Sequence, residues 1–242
     1  MPTRPSTAAA ARRRRPPGSA RHVSARKRPA RSTFDHRRRH EESWSRAEAV
    51  ARLDAPGRRT DQDPDQLWNR VGLKRGNTVV DVGAGTGFYS FPAARLVGSE
   101  GRVFAVDISS ELVDLVRVRA LERHLSNVVP TLSSRAHIPI EDAVADFAIL
   151  ANVLHGIPPA TVDEAVRIVR PGGRVVDLDW KKEATRDGPP LDHRLTVEEA
   201  AATLSARGLR QVDSFDLGPQ HYVLVFERPR PARHPARLVS AE

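Results

Sequence analysis

Residues 78–107 constrain the fold of this chain more than any other stretch. Thr78–Val82 is a short β-branched run without polar alternation, which is typical of a strand buried on both faces of a parallel sheet. Glycine occupies alternate positions of Gly83–Gly87, where it permits positive φ angles and the close approach of a ligand. A helical segment, Phe88–Val97, and a second β-branched run that ends at Asp107 complete the pattern. The stretch therefore predicts the strand, glycine turn, helix and strand of a nucleotide-type fold.

Two acidic residues indicate what the glycine turn binds. Asp107 lies at the tip of the second strand, about 20 residues beyond the turn, where a carboxylate can accept hydrogen bonds from both ribose hydroxyls of an adenosine. A dinucleotide fingerprint would place its third glycine where this chain has Phe88. Asp81, inside the first strand, would repel a pyrophosphate but could bind the ammonium of an amino-acid moiety. We infer a bound adenosine; the alternative is a βαβ turn whose glycines serve only packing.

Charge is distributed unevenly along the 242 residues. The net charge is +9, yet residues 1–40 contain 13 Lys and Arg and one acid, Asp35, whereas the remainder contains 26 basic and 29 acidic residues. Residues 1–32 are rich in Arg, Ala, Pro and Ser with little to bury, so we predict a disordered basic tail. A nucleic-acid tether, an Arg-rich targeting peptide and a solvated extension without a role are three alternatives for this tail.

Composition excludes several classes of site. The sequence has no cysteine, which removes disulfides, thiolate metal sites and a cysteine nucleophile, and is compatible with a reducing cytosol. No apolar run approaches the roughly 20 residues needed to span a bilayer. His36 and His40 are four residues apart without a third ligand, so we predict no metal site. A soluble cytoplasmic protein is the prediction.

The rest of the pattern predicts an α/β domain over residues 73–229, preceded by a helical cap, residues 33–72, and followed by a second disordered tail, residues 230–242. Strands and helices alternate through the domain, and two alternating runs near its end form a closing antiparallel pair. A capping box at Thr196–Glu199 predicts the start of the last helix. The predicted fold is a Rossmann-like, doubly wound, seven-stranded sheet, mostly parallel with an antiparallel last strand and with helices on both faces.

Two motifs together resemble the class I S-adenosylmethionine (SAM) dependent methyltransferases. The acid and glycines of Asp81–Gly87 resemble motif I of that family, and Pro171–Gly173, predicted as a turn before a strand beginning at Arg174, is similar to a turn that the family carries. The order of elements from about Thr60 to Arg228 also resembles its fold. Within the superfamily, the sequence is similar to the small type 11 methyltransferases related to the quinone C-methyltransferases.

The resemblance implies SAM as the cofactor and a set of residues around it. The implied cofactor residues are Asp81, Gly83, Ala84, Gly85, Gly87, Asp107, Ile108, Ser134 and Asn152. Ile108 is implied to lie against the adenine, and Asn152 close to the methionine end. Ser134 stands where the family usually has an acid that receives the adenine amino group; a hydroxyl can accept the same hydrogen bond, but without charge. The resemblance implies no substrate.

Two histidines are candidates for catalysis. His155 follows the fourth predicted strand and His193 lies in the loop beyond the fifth, so both are expected at the carboxyl edge of the sheet, beside the methyl group. Trp180-Lys181 are expected at the same edge, and His221-Tyr222 either approach the same pocket or lie on the hairpin surface. His155 could act as a base or orient a substrate, and a structural histidine at a strand end is the alternative.

The sequence leaves the methyl acceptor open, because the reaction depends mainly on in-line placement of a nucleophile. An arsenite methyltransferase would need cysteines, and residues 152–155 lack the Asn-Pro-Pro-Tyr pattern usual in N6-adenine and amide-nitrogen methyltransferases. A small-molecule acceptor is the leading hypothesis. An RNA or protein methyltransferase that uses the basic tail, and an NAD-type oxidoreductase, are the alternatives.

Overall fold

The computed structural model describes residues 46–185 and 187–231 of the chain. The predicted tail of residues 1–32, the first part of the predicted cap and residues 232–242 lie outside this range, as do His36 and His40. The described helices are α1 (Arg46–Leu53), α2 (Arg58–Asp61), α3 (Pro64–Val71), α4 (Ser90–Val97), α5 (Ser110–Glu122), α6 (Pro159–Ile168) and α7 (Val197–Ser205), with a 3-10 turn at Leu191–His193. None of them has the length and apolarity needed to cross a bilayer.

The described residues form one seven-stranded sheet. Its strands are β1 (Thr78–Val82), β2 (Arg102–Asp107), β3 (Val128–Leu132), β4 (Ala145–Ala151), β5 (Val169–Trp180), β6 (Arg210–Leu217) and β7 (His221–Glu227). The spatial order is β3-β2-β1-β4-β5-β7-β6, with β7 antiparallel to both of its neighbours and the other pairs parallel. The predicted Rossmann-like fold is confirmed. The chain reverses its winding direction between β1 and β4, and ligands bind at such a switch point in doubly wound sheets.

Both faces of the central strands are buried. Val79 and Ile149 face the layer that contains α3, α4 and α5, whereas the adjacent Val80 and Leu150 face α6 and α7. All four side chains have no exposed surface. This two-sided burial explains why β1 is β-branched throughout except at Asp81.

Residues 46–71 fold as three short helices, and the third, α3, is held by caps at both ends and by a buried tryptophan. Asp63 caps α3 by accepting the Asp65 N–H, and Gly72 ends it with φ +81°. Trp68 is fully buried, donates its indole N–H to the carbonyl of Tyr89 at 3.1 Å and meets Phe147 edge-on. We call residues 46–71 the cap below.

The strand after the Pro-Gly-Gly motif begins earlier than predicted. β5 starts at Val169, which pairs with Ala145, and the next ladder pair is Arg174 with Phe147. The motif is therefore an irregular segment inside β5 rather than a turn before it. A backbone hydrogen bond explains the difference. The Gly172 N–H donates to the carbonyl of Arg228 at 2.7 Å, so the motif stays hydrogen-bonded to the chain that follows β7.

Candidate active site

The glycine turn after β1 adopts the conformation that its sequence predicts. Gly83, Gly85 and Gly87 have φ angles of +75°, +56° and +85°. A Cβ at Gly83 would lie 2.7 Å from the side chain of Val153, and one at Gly85 would lie 2.9 Å from Leu53. The turn therefore needs glycine because the segment after β4 and the cap both press on it. Ala84, between the first two glycines, is buried.

Asp107, at the end of β2, points back at the turn. Its Oδ2 accepts the Gly85 N–H and its Oδ1 accepts the Ser109 N–H, each at 2.9 Å. Burial raises the pKa of the carboxyl, and these backbone bonds partly oppose that rise. Each oxygen retains one lone pair, so the group fits a pair of vicinal hydroxyls. Ile108 beside it is 44% exposed, which leaves an apolar surface at the same edge.

Asp81 is a buried acid within β1. It accepts the Ser90 hydroxyl at 2.6 Å and is 2% exposed. Burial raises its pKa to about 6, so the carboxylate is mostly charged at pH 7. Among the described residues no basic side chain forms an ion pair with it. A buried, unpaired carboxylate at the start of the turn suits a cationic group of a ligand.

Asn152 follows β4, the neighbour of β1. It has φ +58°, a conformation uncommon outside glycine, and its backbone N–H donates to the carbonyl of Leu178 at 2.7 Å. Its side-chain nitrogen donates to Gln62 of the cap at 2.8 Å. Within the described ranges the buried Oδ1 has no partner, which makes it an orphaned acceptor at the switch point.

Ser134, in the loop after β3, uses its hydroxyl locally. The Oγ accepts the N–H groups of Ala136 and His137, at 3.3 and 3.0 Å. These bonds close a tight turn, which is a common role of serine in loops. A contact with adenine stays a prediction for this residue.

His155 is held by a buried acid from the next strand. Its Nδ1 lies 2.9 and 2.8 Å from the two carboxylate oxygens of Asp179, whose side chain is 1% exposed. An ionised carboxylate only accepts hydrogen bonds, so we assign the ring proton to Nδ1 and the unprotonated nitrogen to Nε2. Asp179 was missed as a functional residue, although an acid inside the apolar run of β5 was visible in the sequence.

His193 is not joined to this pair. It lies in the 3-10 turn, and its backbone N–H donates to the carbonyl of Pro190 at 3.0 Å. Within the part of the chain that the structure describes, no hydrogen bond or ion pair connects it to His155. Among the described residues, His155 thus has a buried carboxylate partner and His193 has none.

An aromatic wall lies at the end of β5 and the start of β7. The rings of Trp180 and His221 are 4.2 Å apart, and the guanidinium of Arg194 lies 5.2 Å from the Trp180 ring. His221 is fully buried, and neither ring nitrogen bonds to a described residue. Burial lowers the pKa of His221 to about 4, so it is neutral at pH 7. Lys181 instead pairs with Asp216, at 2.7 Å.

Arg194 organises the loop between β5 and α7. The guanidinium donates to four backbone carbonyls of the loop and to one hydroxyl, and the acceptors belong to Lys181, Glu183, Thr185, Asp187 and Pro189. Gly188 packs so closely that a Cβ would lie 2.8 Å from Trp180. Arg194 itself is only 4% exposed, so this cation stabilises the loop rather than standing free in solvent.

The cap closes over the glycine turn through polar side chains. Asp54 accepts the Thr86 hydroxyl at 2.6 Å and pairs with Arg119, while Gln62 accepts the Tyr89 hydroxyl at 3.1 Å. Sequence reasoning missed these residues because they lie outside any motif. Their only signal is that polar side chains cluster around a Pro-Gly break in a helical pattern.

Comparison with known proteins decides the family. Residues 80–177 match a family model described as a methyltransferase domain. The structure superposes on a SAM-dependent methyltransferase from Aquifex aeolicus with a TM-score of 0.72 and 29% identity, over 76% of this chain and 99% of that one. Residues 80–177 are therefore a methyltransferase domain of the type 11 family, and the fold is that of the class I SAM-dependent methyltransferases.

Two curated relatives of this methyltransferase domain carry substrate names. A ubiquinone/menaquinone biosynthesis C-methyltransferase from Cellvibrio japonicus is 30% identical over 48% of this chain and 50% of its own length. An arsenite methyltransferase from Halobacterium salinarum is 34% identical over 57% of this chain and 34% of its own length. The chain thus spans between a third and a half of the length of these relatives.

The residues present fit the cofactor of the family. Asp107 offers two lone pairs to a ribose diol, and the unpaired acid Asp81 and orphaned acceptor of Asn152 suit an ammonium group. A methyltransferase cofactor contains both of these groups. The family assignment also disfavours the NAD-type oxidoreductase alternative.

Proposed function

We propose that this chain transfers the methyl group of SAM to a small-molecule acceptor. The observation that carries the proposal is the carboxyl edge of the sheet, where an adenosine-type site after β1 and β2 adjoins the His155–Asp179 pair after β4 and β5. The switch point between β1 and β4 brings these two groups of residues to one edge.

Each residue of the proposed site has a defined task. SAM, when bound, supplies an electrophilic methyl carbon attached to a good leaving group. Asp107 holds the ribose, and Asp81 with Asn152 holds the amino-acid end. Ile108 and Ser134 lie toward the adenine in this proposal, with Ala84 and the three glycines lining the turn. The side chains thereby fix the methyl group in line with an incoming nucleophile.

His155 takes a proton from the acceptor when that proton must leave. Asp179 orients the imidazole and stabilises the cation that forms when Nε2 receives the proton. His193 has no comparable partner in the described residues, so we propose a minor role for it in positioning the acceptor loop.

The walls of the acceptor side favour a modest, partly apolar molecule. Trp180 is half-buried and offers aromatic surface, and the buried, neutral His221 packs behind its ring. Among the relatives, the quinone C-methyltransferase has a name compatible with such an acceptor. Trivalent arsenic is less suitable because the sequence has no thiolate to bind it.

The basic tail keeps a second hypothesis open. Its clustered arginines are suited to neutralising phosphates, so an RNA or protein acceptor is the alternative. The tail lies outside the described residues, and its role, like the predicted cytoplasmic location, stays a prediction.

One experiment separates these alternatives. The protein is incubated with methyl-labelled SAM and fractionated cell extract, and the label is traced into small molecules, RNA or protein. We expect label in the small-molecule fraction, and label in RNA or protein would refute the proposed acceptor class. Calorimetry with S-adenosylhomocysteine (SAH) and NAD provides the cofactor control, and binding of NAD without SAH would overturn the methyltransferase proposal.

A further inference from the structure

Arg58 of α2 is a positively charged residue to which the proposed site assigns no role. Its Nη1 donates to the carbonyl of Leu53 at 2.9 Å, and its Nε makes a long bond of 3.4 Å to Gln62. The guanidinium lies 4.1 Å from the ring centre of Phe88, close to the glycine turn. Nη2 makes no hydrogen bond with any residue in the described ranges. The cap therefore holds this cation through neutral partners and leaves part of its donor capacity unused.

The charges around Arg58 are not balanced by pairing. The guanidinium interacts electrostatically with Asp81 and Asp54 but forms an ion pair with neither. Burial lowers the pKa of Arg58 and raises that of Asp81, which shows that each charge is costly where it lies. Opposite charges that are both desolvated, near one another and unpaired are complementary to a zwitterion placed between them.

We propose that Arg58 binds the carboxylate of the amino-acid part of SAM, so that the cap and the sheet share the recognition of its zwitterion. This inference rests on the proposed function. Asp81 and the orphaned Oδ1 of Asn152 face the ammonium from the sheet, and the planar fork of Arg58 faces the carboxylate from the cap.

Because the sheet binds the ammonium and the cap binds the carboxylate, cofactor binding is coupled to the cap. Gln62 accepts hydrogen bonds from both Arg58 and Asn152, so one buried amide joins the two sides of the amino-acid site. A ligand with the amino-acid group engages both sides, whereas a ligand that ends at the thioether engages only the sheet. SAH should therefore protect the amides of residues 46–71 from hydrogen exchange more than 5′-methylthioadenosine does.

Calorimetry on the full chain tests the proposal with two ligands. SAH carries the carboxylate, and 5′-methylthioadenosine shares the adenosine and sulfur but lacks the amino-acid group. We expect Arg58→Ala to weaken the affinity for SAH by about 10- to 100-fold and the affinity for 5′-methylthioadenosine by less than about 3-fold. Arg58→Lys should give an intermediate loss, because the charge stays and the fork is removed. Arg59→Ala is the matched control, since this exposed neighbour pairs with Asp65 and should change neither affinity.

Specific outcomes would overturn the inference. Equal losses for both ligands would show that Arg58 only supports the cap, and unchanged SAH affinity in Arg58→Ala would show that it binds no cofactor group. If Arg58→Ala does not fold, Arg58→Gln and Arg58→Lys provide the same two-ligand comparison. Failure of the wild-type chain to bind SAH would overturn the proposed function itself, whereas normal SAH binding by all Arg58 variants overturns only the inference.

Discussion

The carboxyl edge of the sheet has two halves that are built differently. The proposed cofactor half, at the ends of β1 and β2, comes from one continuous stretch, in which Asp107 accepts the N–H groups of Gly85 and Ser109. The proposed acceptor half, at the ends of β4 and β5 and the start of β7, is assembled from distant segments. It contains His221, which has no hydrogen-bond partner among the described residues, and the pair of His155 with Asp179.

This difference matches the two functions that we propose, recognition of a common cofactor and recognition of a specific acceptor. The cofactor is common to the family, so a compact local unit can recognise it. An acceptor differs between enzymes, and a surface drawn from several loops can change without disturbing that unit. The halves should consequently respond differently to mutation and to pH.

Loss of His155 should have the largest effect. His155→Ala removes the proposed base, so we expect methyl transfer to fall by about 10²- to 10⁴-fold for an acceptor that must lose a proton. SAH affinity should change little, because the residue belongs to the acceptor half. His193→Ala should lower turnover less. Wild-type turnover in His155→Ala, measured once an acceptor is known, would remove this residue from the mechanism.

The cofactor half should show the reverse pattern. Asp107→Ala removes a charge-assisted pair of hydrogen bonds, and calorimetry with SAH should show a loss on the order of 1.5–3 kcal/mol. Asp114→Ala is the control, because this exposed acid pairs with Arg117 on the surface of α5. If both variants bind SAH as the wild type does, the ribose contact is absent.

The two halves should also respond oppositely to acid. Between about pH 4 and 6.5 native His221 is neutral while the unfolded residue is protonated, so its contribution to the free energy of unfolding falls as the pH falls. Native Asp81 remains protonated up to about pH 6 while the unfolded acid is ionised, so its contribution rises as the pH falls. Each effect should be on the order of 2 kcal/mol across its window.

Urea unfolding of two variants between pH 4.5 and 7 can separate these contributions. His221→Gln should gain stability relative to the wild type as the pH falls, and Asp81→Asn should lose it. His124→Gln, an exposed histidine after α5, is the control. Parallel stability curves for wild type and both variants would contradict the assignment of these titrations.

The smallest effect should come from the basic tail. Deletion of residues 1–32 should leave the unfolding free energy and SAH affinity unchanged, because the segment has too little apolar surface to pack. If the tail binds nucleic acid, affinity for mixed RNA should disappear on deletion and decrease steeply with salt in the full chain. RNA affinity that survives both deletion and salt would place an RNA surface on the folded domain.

The sequence by itself determined the glycine turn, its flanking strands and the sheet. Glycine is required where φ is positive, and β-branched apolar runs belong to strands buried on both faces, so residues 78–107 could be assigned from local rules. The predicted capping box at Thr196 and Glu199 is likewise present, because a cap depends on residues three positions apart.

Only the tertiary structure decided the contacts of His155 and those of the cap. Asn152 meets Gln62 across 90 residues and His155 meets Asp179 across 24, contacts that follow from strand order and helix packing. The irregular segment inside β5 depends on a bond to Arg228, and the unpaired charge of Arg58 depends on which residues surround it. Periodicity reports which face of an element is buried, but it does not report which distant side chains meet there.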